Sequence, residues 1–219
     1  MTAAIGWSSG KDACMALIRA RAAGYEVTSA LTTLNEAFDR VAMHGTRAAI
    51  LRAQAEAAGL ELLEVPLPWP CTNEIYEARM AEAVEALKAN GITQMIFGDL
   101  FLEDVRDYRI AQLEGTGITP VFPLWGEDTA ALAREVAKRF DTRLVTLDPS
   151  KLPDALAGRR LDAALLAELP EGVDPCGENG EFHTCVLDAP CFRAPIPAAR
   201  GETVTRDGFV YSDLVLTGS

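Results

Sequence analysis

Apolar and polar positions along this chain follow two alternating periods, one of strands and one of helices. Ala3 to Trp7 is a short apolar run ending in a Ser/Gly turn, which predicts a strand. Lys11 to Ala22 then carries Ala13, Ala16, Leu17 and Ala20 at helical spacing, with Gly24 as the stop. Val27 to Leu34 predicts a second strand and the Ala-rich stretch Arg47 to Ala58 a second helix ending at Gly59. Leu62 to Val65 predicts a third strand, closed by the break Pro66-Leu67-Pro68-Trp69-Pro70. From Asn73, the residues Tyr76, Met80, Ala83, Val84 and Leu87 share one helical face that ends at Asn90-Gly91. Met95 to Gly98 predicts a fourth strand, Glu103 to Leu113 a helix with an acidic first turn, and Val121 with Phe122 a fifth strand. This alternation predicts βαβ units and a parallel sheet flanked by helices.

After Pro123-Leu124-Trp125-Gly126 the pattern changes, which divides the chain into residues 1–126 and 127–219. Thr129 to Phe140 and Leu161 to Leu169 predict helices, with a strand at Leu144 to Leu147 between them. A Gly/Pro-rich loop runs from Pro170 to Gly180, and Val186 with Leu187 ends a strand. Thr203 to Arg206 and Phe209 to Leu216 flank Asp207-Gly208, a hairpin signal, so the second part is expected to be a smaller α+β unit.

With 219 residues and 49% hydrophobic content, the chain can bury a sizeable core. Its net charge of −12 argues against nucleic acid and anionic membranes as partners, both of which attract basic surfaces. No run is apolar enough to span a membrane and the N-terminus lacks a leader pattern, so the expected location is cytoplasmic. Five cysteines without a secretion signal favour reduced thiols. Cys176, His183, Cys185 and Cys191 lack the close ligand pairs of structural zinc sites.

The chemistry-bearing segment nearest the N-terminus is Trp7-Ser8-Ser9-Gly10-Lys11-Asp12-Ala13, between the first strand and the first helix. Open α/β sheets bind ligands at that end of their strands. Small residues let backbone N–H groups approach an anion, the helix start adds positive potential and Lys11 adds a full charge. The spacing fits neither GxxxxGK nor GxGxxG, and an ordinary turn capped by Ser8 or Ser9 explains the same residues.

Ser8-Ser9-Gly10-Lys11-Asp12-Ala13 resembles the SGGxDS loop of PP-loop ATP pyrophosphatases, with Ser9 in place of the first glycine and Ala13 in place of the last serine. Further segments narrow the likeness: Leu31 to Glu36, Met43 to Arg47, Phe97-Gly98-Asp99, Leu102 to Arg109 and Asp174 to Thr184. Together they resemble the diphthine ammonia ligase family and its ATP-binding prokaryotic relatives. The resemblance implies an adenine nucleotide α-hydrolase fold, a HUP-like (Rossmann-like) parallel sheet flanked by helices with a smaller α+β C-terminal domain. It also implies ATP and Mg2+ as cofactors and amide formation: a carboxylate is adenylated, pyrophosphate leaves, and ammonia displaces AMP. Ser8, Ser9, Gly10, Lys11, Asp12, Thr32 and His44 would then meet the nucleotide, with Asp12 as the metal ligand. Lys11, Asp99, Glu178, Glu181 and His183 would carry catalysis, and Asp104, Arg109, Asn179 and Thr184 would face the acceptor.

Each residue also has a plainer reading. Thr32 suits a strand by propensity, His44 and Asp99 suit caps, and Arg106 and Arg109 suit surface ion pairs with Glu103, Asp104 and Asp107. Glu178, Glu181 and His183 form the densest cluster; in an extended segment Glu181 and His183 share a side, which suits a base beside an orienting carboxylate. The expected acceptor is a carboxylate on a small molecule or a modified protein residue, and a homodimer is left open. Two other functions compete: an ATP-binding sensor similar to universal stress proteins, and tRNA thiolation by the same loop chemistry.

Overall fold

The computed structural model describes residues 1–42 and 44–218; Met43 therefore lies outside the described residues. The first half alternates strands and helices: β1 (Thr2–Gly6), α1 (Lys11–Ala22), β2 (Glu26–Asn35), β3 (Arg40–Val41), α2 (Ala48–Ala58), β4 (Glu61–Leu67), α3 (Asn73–Ala89), β5 (Gln94–Ile96), α4 (Glu103–Leu113) and β6 (Thr119–Val121). The second half carries α5 (Thr129–Arg139), β7 (Asp141–Leu147), α6 (Ala163–Glu168), β8 (Phe182–Asp188), β9 (Ala198–Arg206) and β10 (Phe209–Leu216).

The parallel strands lie in the order β4-β2-β1-β5-β6, and the short β3 adds an antiparallel pair to the end of β2. The sheet therefore reverses direction of growth between β1 and β5, and the crevice beyond their carboxyl ends is where such sheets hold ligands. A second sheet, β8-β7-β10-β9, is antiparallel throughout.

Alternation along β1 explains the layers. Ala3 and Ile5 point into one apolar cluster with α1, while Ala4 points into another with α3 residues Ala83, Val84 and Leu87. Helix α1 also contacts β8, and α2 contacts β10, so both helices are enclosed between the two sheets. That placement accounts for the burial of seven of the twelve residues of α1: Lys11, Ala13, Cys14, Met15, Ala16, Leu17 and Ala20. One apolar cluster continues from Ile5 and Leu17 through Leu144 to Val210, joining both halves.

Several elements differ from the sequence expectation. Strand β8 ends at Val186, Leu187 and Asp188 as expected, and its start, left open by the sequence, is Phe182, because pairing with β7 carries it across the polar positions His183 and Thr184. Strand β9 begins at Ala198, and β5 ends at Ile96, leaving Phe97, Gly98 and Asp99 in a loop. Helix α6 is shorter than Leu161 to Leu169. The hairpin stands as expected, with Asp207 and Gly208 at φ 50° and 83° in its two-residue turn. Among the described residues, no helix is long and apolar enough to cross a membrane.

Candidate functional site

A cleft of about 770 Å³ opens at the crevice between β1 and β5. Its walls come from the β1–α1 turn, the ends of β2 and β5, the start of α3, one side of α4, and the stretch from Cys176 into β8.

The β1–α1 turn is held from beneath. Ser9 is buried with φ 74°, a left-handed conformation that glycine adopts without steric cost, in keeping with the glycine of the resembling loop. Its hydroxyl donates to Thr46 Oγ1 (2.9 Å), and its carbonyl accepts from Gln54 Nε2 (3.2 Å). Gln54 also donates to the Val186 carbonyl (2.6 Å) and accepts from the Trp7 indole (3.1 Å). Neither serine caps α1: Gly10 holds the cap position, Ser8 Oγ accepts only from Gly10 N (3.4 Å), and the Lys11 amide donates to Thr184 Oγ1 (3.1 Å). A side chain on Gly98 would meet the Asp12 carbonyl at 2.9 Å, so glycine is needed where the end of β5 passes the start of α1.

Lys11 bridges the two halves of the cleft. Its buried ammonium donates to Asp12 Oδ2 (2.8 Å) and to the Cys176 carbonyl, and lies 5.7 Å from the centre of the Phe182 ring. Burial alone lowers the pKa of such a group, but Asp12, Cys176 and Glu178 outweigh it and the net direction is upward. Lys11 therefore stays charged at neutral pH.

Three carboxylates share this end of the cleft. Glu178 accepts from the Leu100 amide (2.9 Å), and its pKa is pushed up to about 7, chiefly by burial, then against that hydrogen bond and with help from Asp12 and Asp99. Asp99 is raised by burial and held back by Arg109, whose Nε lies 3.8 Å from Asp99 Oδ2. Helix α4 begins behind Leu102 without a side-chain cap, so Asp99 is not a capping residue. Asp12 Oδ1 is buried without a hydrogen-bond partner, which fits one direct bond to Mg2+.

The opposite wall carries two imidazoles. His44 and His183 have ring centres 4.7 Å apart with planes inclined by 37°. His44 Nδ1 lies 3.2 Å from the Thr184 carbonyl, and Thr146 Oγ1 donates to the His44 carbonyl (2.9 Å). Burial lowers the pKa of His44 to about 3, with His183 and Lys11 adding repulsion, and burial followed by Lys11 lowers His183. Both rings are neutral at pH 7.

Of the sequence-derived site residues, Ser8, Lys11, Asp12, Thr32, His44, Asp99, Arg109, Glu178, His183 and Thr184 line the cleft. Ser9 and Gly10 lie behind it as supports. Asp104 and Asn179 are exposed and do not line it. Glu181 does not line it either: β8 starts only at Phe182, and Gly180 at φ 78° turns the chain just before, so strand alternation does not pair Glu181 with His183. Instead Glu181 Oε1 accepts from the Asp174 amide and from Asn179 Nδ2, both at 3.2 Å, and braces the loop that presents Glu178. Sequence reasoning passed over Gln54 and Thr46. A glutamine on the apolar face of α2, beside Ile50, Leu51, Ala55 and Ala58, was the available signal.

Family models and curated relatives converge on one family. A family model described as Diphthamide synthase N-terminal domain matches residues 1–114, and one described as Diphthamide synthase C-terminal domain matches residues 128–211. The diphthine–ammonia ligase of Homo sapiens is 27% identical over 90% of this chain and 82% of its own, and that of Bos taurus is 26% identical over 94% and 85%. A solved structure described as a predicted subunit of tRNA methyltransferase from Methanocaldococcus jannaschii aligns with a TM-score of 0.47 and 16% identity, over 86% of this chain and 97% of that one.

Proposed function

Because the chain belongs to the diphthamide synthase family, its reaction is ATP-dependent amide formation with ammonia as nitrogen donor, and we propose that the cleft adenylates a carboxylate to drive it. In this reading residues 1–126 bind the nucleotide and residues 127–219 close over it. The carboxylate oxygen attacks the α-phosphorus of ATP, pyrophosphate leaves, ammonia attacks the acyl carbon, and AMP departs with the electron pair of the broken acyl bond.

The observation that carries this reading is the position of Lys11: charged and buried at the start of α1, it ties the β1–α1 turn to the loop that presents Glu178. Lys11, Ser8 and the backbone before α1 hold the phosphates, and Thr32 at the end of β2 lies toward the base. Asp12 would hold Mg2+ through its unpartnered Oδ1, and the ion would supply charge neutralisation at the leaving pyrophosphate. The neutral rings of His44 and His183 offer hydrogen bonds to the nucleotide without adding charge. Glu178, poised near pH 7, takes the proton that ammonium must lose before attack. Arg109 and Thr184 face the acceptor, a carboxylate on a small molecule or a modified protein residue. Nucleic acid is disfavoured by the charge of −12, and a thiolation role by the Cys176 and Cys185 thiols, both pushed up to about 12 mainly by burial.

The test is chromatographic. Purified protein with magnesium ATP, ammonium and a carboxylate pool is expected to accumulate AMP and pyrophosphate, and Asp12→Ala to accumulate neither. Formation of ADP, or ATP binding with no AMP across all carboxylates, overturns the proposal.

A further inference from the structure

A second cavity, of about 170 Å³, lies between α3 and α4 and shares Leu31, Tyr76, Met80, Met95, Phe97 and Arg109 with the main cleft. Both helices run away from the carboxyl rim of the sheet, so the cavity is a slot that starts at the rim and descends beneath it. Its depth from Met80 to Leu87 along α3 is about 10 Å at a helical rise of roughly 1.5 Å per residue. The inner wall is apolar, formed by Val84, Leu87, Leu113 and Ile118.

Polar groups sit at the top and along the outer edge. Arg109 lies at the rim with its guanidinium 4.9 Å from the centre of the Phe97 ring, and its Nε is buried without a hydrogen-bond partner. Asp99 stands 3.8 Å from that Nε, beyond hydrogen-bonding distance. Among the described residues Arg109 Nε thus keeps donor capacity for an incoming anion, on a side chain that lines both the slot and the cleft. Glu77 and Glu85 flank the outer edge and repel a second negative charge.

We propose that this slot is the acceptor's body-binding subsite, and that the acceptor is a monocarboxylate with an extended apolar body. Arg109 holds the carboxylate at the junction of slot and cleft, and the apolar body descends between α3 and α4. Burying the body removes apolar surface from water, while the carboxylate stays at the rim within reach of the nucleotide. The inference rests on the carboxylate-activating reading above and adds the substrate class to it.

The experiment titrates the full-length protein, with ATP present, with straight-chain carboxylates from acetate to decanoate by calorimetry, and follows AMP release in parallel. Affinity is expected to rise with chain length until the slot is full, with octanoate preferred over its dicarboxylate counterpart by about tenfold or more. Val84→Phe, which fills the slot, is expected to weaken octanoate about tenfold and leave ATP affinity unchanged; Ala81→Trp at the outer edge serves the same purpose without altering the core. Arg109→Gln is expected to weaken octanoate but not octanol. Affinity independent of chain length, or unmoved in both filling variants, overturns the inference, as does loss of ATP affinity in them, which assigns the slot to the nucleotide. Length-dependent binding without AMP from any carboxylate keeps the slot and overturns the adenylation reading. AMP release without length dependence does the reverse.

Discussion

Gln54 and Ser9, 45 positions apart, are joined by a 3.2 Å hydrogen bond that fixes the floor of the β1–α1 turn from helix α2. The same amide reaches the Val186 carbonyl and the Trp7 indole, so one buried side chain joins the first strand, the turn and β8. Gln54→Leu keeps the bulk and strands two buried polar groups, the Trp7 indole N–H and the Val186 carbonyl, at about 1–3 kcal/mol each when unmet, while the Ser9 carbonyl keeps its bond from the Val186 amide (3.0 Å). The expected result is a loss of roughly 3 kcal/mol or more in denaturant unfolding, with ATP affinity reduced in the protein that remains folded. An unchanged midpoint refutes this account of the turn.

Ser9 combines a left-handed backbone with a useful hydroxyl. Ser9→Gly relieves about 1 kcal/mol of backbone strain and loses one buried hydrogen bond of similar size, so its stability is expected near that of the parent. Ser9→Ala keeps the strain and loses the bond, so it is expected to be the least stable of the three. Thermal unfolding of the set checks the order, and an alanine variant as stable as the glycine variant contradicts it.

Burial pushes Glu178 up to about 7, and in the proposed mechanism its carboxylate form acts as the base. At fixed ammonium concentration, the rate of amide formation is expected to rise with pH through about 7 and level off above it. Glu178→Gln is expected to lower that rate about 100-fold or more and to erase the rise. A rise that persists in the variant assigns the base elsewhere.

The paired imidazoles link folding to acidity. His44 is lowered to about 3 from 6.5, so between those values the unfolded chain binds more protons than the folded one. The contribution of neutral His44 is complete above pH 6.5 and is lost progressively as pH falls toward 3, with His183 acting in the same direction. Glu178 works oppositely, binding more protons when folded between 4.5 and about 7. His44→Gln is therefore expected to flatten the fall in melting temperature below pH 6, and an equally steep fall contradicts the assignment.

The alternation of periods was sufficient to read the parallel strands and the helices of the first half, because helices there show a buried face at helical spacing and strands covered on both faces read as short apolar runs, whereas the two-residue β3 left no pattern. Asp207-Gly208 likewise announced its hairpin, since only residues tolerant of positive φ fit that turn. The residues of the β1–α1 turn and of the strand ends that line the cleft were singled out by the family resemblance, because each has a sufficient local reading as a cap, a turn or a strand residue. What required the tertiary structure were the relationships across the chain. Glu181 sits two positions from His183 yet faces a different environment, because Gly180 turns the backbone and β8 begins only after it. Gln54 reads as an ordinary helix residue until α2 is enclosed between two sheets, where every polar atom needs a partner. The slot between α3 and α4 has no local signature at all. Its walls are the same periodic apolar residues that predict two ordinary helices, and only the spacing of those helices over β5 leaves room between them.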